Sequence, residues 1–226
     1  DFIPAAAHKP LYLLAPLMAF IPAMLPLAVI PFGSSITLFG REINLVVSDF
    51  NLGLLFILAM TSLGIYGIIM AGWSPNSKFS LLGGLRSSAQ MISYEIGLGM
   101  SFIGVIMLAG TLNMVEIVEQ QSSILDWYII KQPVGFVLYL ICAFAETNRS
   151  PFDLPEAESE LVGGYHTEYS SMRFGLFFVG EYANMVTVAA VATTVFLGGW
   201  QGPFLPPVLW FVIKCFAFMF FYIWVR

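Results

Sequence analysis

Carboxylates are the residues of this sequence best able to do chemistry. The stretch AETNRSPFDLPEAESELVGGYHTEY, residues 145–169, holds six of the chain's fourteen acidic residues: Glu146, Asp153, Glu156, Glu158, Glu160 and Glu168. Arg149 is almost the only base near enough in sequence to neutralise them. Clustered carboxylates repel one another, which raises and couples their proton affinities, so a cluster of this kind can exchange protons near neutral pH. Three acids, Glu95, Glu146 and Glu181, fall in or at the ends of long apolar runs. An acid at the centre of a membrane helix costs at least about 2.5–3.5 kcal/mol, so each needs a partner, a proton or a wet cavity. Proton or ion transfer is the chemistry this pattern points to. The bland alternative is a neutral, hydrogen-bonded glutamate that joins helices.

Other chemistries lack their residues. There is no HExxH and no Glu-x-x-His pair of a di-iron bundle, and YHTEY alone makes a poor metal site. With only His8 and His166 available, a serine nucleophile finds no nearby base with an orienting acid. Cys142 and Cys215 lie in separate apolar runs without CxxC or Cys/His spacing, which reads as buried structural thiols. Gly83-Gly84 follows no strand and reads as an ordinary turn before a helix.

The elements that must position these acids are membrane helices. The 226 residues are 58% hydrophobic and 10% charged, outside the range of an ordinary soluble domain. Six apolar segments are expected to span, at about 11–32, 50–72, 88–110, 131–146, 174–198 and 205–225. Pro16, Pro22 and Pro26 should bend the first, leaving carbonyls for neighbouring helices to satisfy. If the spans alternate, Lys9, Lys78, Arg86, Arg149, Arg173 and Arg226 share one side, while Arg41 and Lys131 lie on the other. The positive-inside rule makes the first side cytoplasmic. Lys214 is left inside the last span, to snorkel or to face a carboxylate. The fold expected is all-α and polytopic, one transmembrane domain over 1–226, with an acidic cytoplasmic loop-helix, 147–173, counted between the fifth and sixth spans. Without an initiator Met or signal pattern, the chain reads as an internal piece of a longer polypeptide.

Local patterns refine two regions. Arg86, Gln90 and Ser93 or Tyr94 recur at helical spacing and line up a polar stripe toward Glu95. Asp153, Pro155 and Glu156 form a helix start, so residues about 154–162 should make a short helix ended by Gly163-Gly164, with Asp153, Glu156 and Glu160 on one face. A capped, solvated helix accounts for Asp153 and Glu156. It does not account for Glu146 on one side or His166 and Glu168 on the other.

The quoted stretch, continued by SSMRFGLFFVGEYANM, together with AGWSPNSKFSLLGGLRSSAQMISYEIG and GGWQGPFLPP, closely resembles the family of H-type membrane subunits of NADH-quinone oxidoreductase, respiratory complex I. The resemblance runs along essentially the whole chain. It implies a proton-translocating enzyme component that carries no flavin or iron–sulfur cluster, lines a ubiquinone or menaquinone chamber, and starts a chain of coupling carboxylates. Position by position it implies coupling roles for Glu95, Glu146, Glu156, Glu158, Glu160, Glu168 and Glu181, with Glu146 helpful rather than indispensable. It places Arg149, Phe152, Asp153 and Arg86 at the quinone chamber and the docking surface. The implied partners are peripheral-arm quinone-site subunits, small membrane-arm subunits, quinone and lipid, with no nucleic acid, in a bacterial inner (plasma) membrane. About eight helices are implied for the full family, with the first and last absent from this chain.

Two other functions fit the bare pattern. One is the homologous membrane component of an energy-converting hydrogenase or related dehydrogenase, separated by overall similarity because other subunits choose the electron donor. The other is a stand-alone proton-coupled transporter, which should show repeated halves with matching broken helices; no repeat is visible.

Overall fold

A computed structural model describes residues 3–38, 41–43, 45–49, 51–148, 152 and 163–225, with side chains described outside 36–44. Its architecture is helical, with one short antiparallel hairpin, β1 (Ile36–Leu38) and β2 (Arg41–Ile43), as the departure from an all-α chain. Among the described residues, five helices are long and apolar enough to cross a membrane. They are α1 (Lys9–Met24, prolonged by a 3-10 turn to Ala28), α2 (Gly53–Trp73), α3 (Lys78–Ala109), α7 (Ser171–Phe196) and α8 (Pro207–Trp224). Between α3 and α7 come the short helices α4 (Met114–Glu119) and α5 (Tyr128–Lys131), then α6 (Pro133–Glu146).

All six apolar segments are therefore helical, but the fourth is only 14 residues long. The cause is local: Pro133 disfavours the helical region for the residue before it, and Gln132 sits at φ −137°, ψ 64°, breaking α5 from α6. The acidic stretch follows this fourth segment and precedes the fifth, not the sixth. Helices α4 and α5, at six and four residues, are too short to count as spans. The expected turn at Gly83-Gly84 is also corrected, since both glycines lie inside α3. They serve close packing: a Cβ on Gly84 would come within 2.9 Å of the Gly72 Cα, and one on Gly83 within 2.6 Å of the Gly164 backbone.

Packing is sequential with one return. Helix α1 lies against α2 and α7, α3 against α2 and α6, and α8 against α7. Pro16 and Pro22 are accommodated inside α1, and Pro26 falls in the 3-10 turn that ends it. Thr187 of α7 donates to the Ala23 carbonyl at 3.4 Å, help from a neighbouring helix of the kind a proline-rich span requires. Two buried clusters result. The larger joins α3, α4, α6, α7 and α8; the smaller gathers Tyr12, Ile65, Met91, Tyr165, Tyr169 and Phe177.

Candidate functional site: a carboxylate cavity between helices

Helix α6 ends within the sequence AETN. Asn148 adopts φ 47°, a left-handed conformation that asparagine tolerates and that terminates a helix. Thr147 turns its hydroxyl back to the Ala143 and Phe144 carbonyls, both at 3.2 Å. Glu146 is thereby fixed as the last helical residue, pointing inward and only 3% exposed. Its Oε1 has no hydrogen-bond partner among the described residues. It faces a cavity of about 40 Å³. That volume exceeds the roughly 10–15 Å³ a single water needs.

Glu181 and Asn184 of α7 line the same cavity, as do Asn148, Tyr165, Gly64 of α2 and Met91 of α3. Six separate segments, α1 among them through Ala19, thus enclose a space fit for water, into which the end of α6 and α7 bring two carboxyl groups and two amides. Glu95 stands close enough on α3 to act electrostatically on Glu146. Its carboxylate accepts a hydrogen bond from the Ser62 hydroxyl of α2. The three acids expected in or beside the membrane are accordingly grouped around the junction of α2, α3, α6 and α7.

The expected polar stripe on α3 divides. Gln90 donates to the carbonyls of Ala145 (3.1 Å) and Phe152 (2.9 Å), clamping the end of α6, while Tyr94 packs edge-on against Phe152 at 5.2 Å. Phe152 is therefore held on α3. Arg86 is exposed, and the exposed Ser93 bonds its own helix at Ala89. Glu168 is partly buried and its main-chain carbonyl accepts from the Tyr12 hydroxyl at 2.8 Å. Arg149, Asp153, Glu156, Glu158 and Glu160, and the helix expected at 154–162, lie outside the described residues.

Outside the spans, burial raises the Tyr169 phenol to about 12, partly offset by its hydrogen bond with Ser74. Burial lowers His166, which is ringed by Tyr165, Phe174 and Phe178 at 5.1–5.8 Å. Among the described residues, no group of three or more His, Cys, Asp or Glu is placed to hold a metal ion. Sequence reasoning missed Ser62, Asn148 and Asn184. Asn148, in an ETNRSP run before a loop, carried a helix-stop signal; the other two carried none, because their partners are distant in sequence.

Lys214 resolves differently from either expectation. Its ammonium donates to the carbonyls of Leu197, Gly199 and Gln201 at 2.6, 3.0 and 2.7 Å and lies 4.4 Å from the Trp127 ring centroid. It binds a turn of backbone, with no carboxylate among the described residues in the arrangement.

The family described as NADH dehydrogenase matches residues 1–226. The chain belongs to this family. It is 57% identical over its whole length to one NADH-quinone oxidoreductase H subunit of Geobacter metallireducens, covering 68% of that protein. It is 56% identical to an H subunit of Geobacter sulfurreducens, again with 68% covered, and 50% identical to the H subunit of Thermomicrobium roseum, with 69% covered.

Proposed function

We propose that this chain is the membrane subunit of a proton-translocating NADH-quinone oxidoreductase, and that the cavity between α2, α6 and α7 is its proton-transfer centre. The observation that carries the reading is Glu146, buried, with one carboxyl oxygen unpartnered among the described residues, on a water-sized cavity shared with Glu181. A buried acceptor left unpaired costs roughly 1–3 kcal/mol, so the site favours an arrangement in which water or a proton visits it. Glu95 and Ser62 extend the group across α2 and α3, and Glu168 stands in the turn that precedes α7.

In this reading quinone is the substrate. Electrons arrive from partner subunits of the peripheral arm, and reduction draws protons from the acidic stretch that includes Glu156, Glu158 and Glu160. Phe152, with Arg149, Asp153 and Arg86, borders the quinone and the docking surface. Small membrane-arm subunits and lipid cover the outer helix faces. The chain lies in a bacterial inner membrane with the acidic stretch on the cytoplasmic side, as the lysine and arginine bias supports when α6 is counted as one of six alternating spans.

The test is isosteric neutralisation in the intact enzyme. Glu181→Gln and Glu95→Gln should lower quinone reduction and proton pumping together by roughly tenfold, equivalent to about 1.4 kcal/mol of barrier. NADH oxidation by an artificial acceptor and the amount of assembled enzyme should stay at wild-type levels. Quinone activity at wild-type levels in both variants would remove these carboxylates from the mechanism.

A further inference from the structure

We infer that residues 163–170 form a strap latched onto α1, α2 and α3, and that Tyr12, Ser74, Ser80 and Gly83 are positioning residues holding it over the carboxylate cavity. The strap carries Tyr165, one wall of that cavity, and Glu168. The inference rests on the proton-transfer reading of the cavity.

The ties come from three helices, and each joins a helix to the strap rather than a helix to a helix. From α3, Ser80 donates to the Tyr165 carbonyl at 3.0 Å. From α1, Tyr12 donates to the Glu168 carbonyl at 2.8 Å, and its ring stacks on Tyr169 at 4.2 Å with 3° between planes. Ser74, which caps α2, shares a hydrogen bond with the Tyr169 hydroxyl at 3.0 Å. Tyr12 and Ser80 are fully buried and Ser74 is 1% exposed, so water does not compete for these bonds while the strap is seated, and Ser80 has only a longer second contact, to the Ala71 carbonyl at 3.5 Å.

Backbone fit sets the register. Gly164 takes φ 68° and its main chain rests directly on Gly83, where any Cβ would stand 2.6 Å from Gly164 and 2.7 Å from the Tyr165 nitrogen. Backbone atoms cannot give way as a flexible side chain does. Within the 3-10 turn Gly164–His166, a slip of one residue would carry the Tyr165 carbonyl about 2 Å from its donor. Helix α3 alone has no need of glycine at 83, where alanine is the better helix former. The glycine serves the strap.

The discriminating experiment compares Gly83→Ala with Gly99→Ala and Gly175→Ala, whose added methyl groups meet nothing within 4 Å. All three are made in the assembled, membrane-bound enzyme. Gly83→Ala should speed amide exchange across 165–169 by about tenfold, the mark of local opening. It should also lower kcat for quinone about fivefold while KM changes less than about twofold, because proton transfer rather than quinone binding is disturbed. The two control variants should keep wild-type exchange and kinetics. Tyr12→Phe, which keeps the stack and loses one hydrogen bond, should fall between wild type and Tyr12→Leu in kcat per assembled enzyme. If Gly83→Ala does not assemble, the Tyr12 pair and Ser80→Ala decide.

Wild-type exchange in these variants overturns the latch. Faster exchange with unchanged kcat overturns the positioning role. Glu181→Gln, measured in parallel, tests the underlying reading separately. If it is fully active while strap exchange in Gly83→Ala rises, the proton-transfer reading fails and the latch stands.

Discussion

His166 shows how a single residue can set the pH response of a segment. Its ring is packed among Tyr165, Phe174 and Phe178, and burial lowers its pKa below the ordinary value of 6.5. The native strap thus holds fewer protons at this residue than an opened one does. Stability from this source is full above about 6.5 and is lost as pH falls from there toward the lowered native value. Amide exchange at 165–169, corrected for its intrinsic pH dependence, should rise between pH 7 and about 5.5. His166→Phe keeps the ring contacts and removes the titration, so its exchange should be flat over that range; an unchanged slope would assign the response to another group. Sequence reading found His166 beside Glu168 but not its aromatic box, since Phe174 and Phe178 meet it only once α7 is folded against the strap. Lys214 was similarly visible as a misfit in a span. Its partners were not, because main-chain carbonyls carry no residue signature. Glu146 was legible from both its span end and the family resemblance.

Helices were the most legible level. Length and apolarity identified all six segments to within a few residues, with the exception of α3, whose first ten residues, Lys78 to Ser87, carry too many polar and glycine positions to read as a span. Glycine meaning was not legible, since a glycine in sequence does not say whether it faces backbone or space. Helix α2 contains both kinds. At Gly67 a Cβ would stand 2.6 Å from the Ala19 nitrogen, so this glycine lets α1 and α2 touch. Gly64, one turn away, meets nothing within 4 Å and lines the carboxylate cavity. Gly64→Ala should therefore fold at least as well as wild type, gaining up to about 1 kcal/mol of helix propensity. Its methyl group enters the 40 Å³ cavity and competes for the water-sized space beside Glu146. Quinone-linked proton pumping should drop severalfold at unchanged or higher thermal stability, an inversion that ordinary packing damage cannot produce. Unaltered pumping would show that the cavity is not part of the path. Gly67→Ala should behave oppositely, losing assembled enzyme first.

At the scale of the whole chain, the two buried clusters divide the work. The smaller one, with Tyr12, Tyr165 and Tyr169, holds the strap beside the carboxylates. The larger one ends in the turn after α7, where Lys214 gathers three carbonyls between Trp127 and Trp210, and where Gln121, fully buried, bonds Thr194 and the Gly198 nitrogen. No described tie links Lys214 directly to the carboxylate cavity, so the turn should matter for stability and not for proton transfer. Lys214→Met keeps the length of the side chain and removes its donors, leaving the Leu197, Gly199 and Gln201 carbonyls without this partner. Losing hydrogen bonds to a charged group should cost on the order of 2 kcal/mol or more. The thermal midpoint of the purified enzyme should fall by several degrees. Quinone turnover per intact enzyme should remain at the wild-type rate. Because the sites share no partners, Lys214→Met combined with Gly83→Ala should show additive losses in midpoint, and the kcat of Gly83→Ala alone. A combined variant slower than Gly83→Ala would mean that the two ends of the bundle are coupled, and that the turn around Lys214 belongs to the mechanism after all.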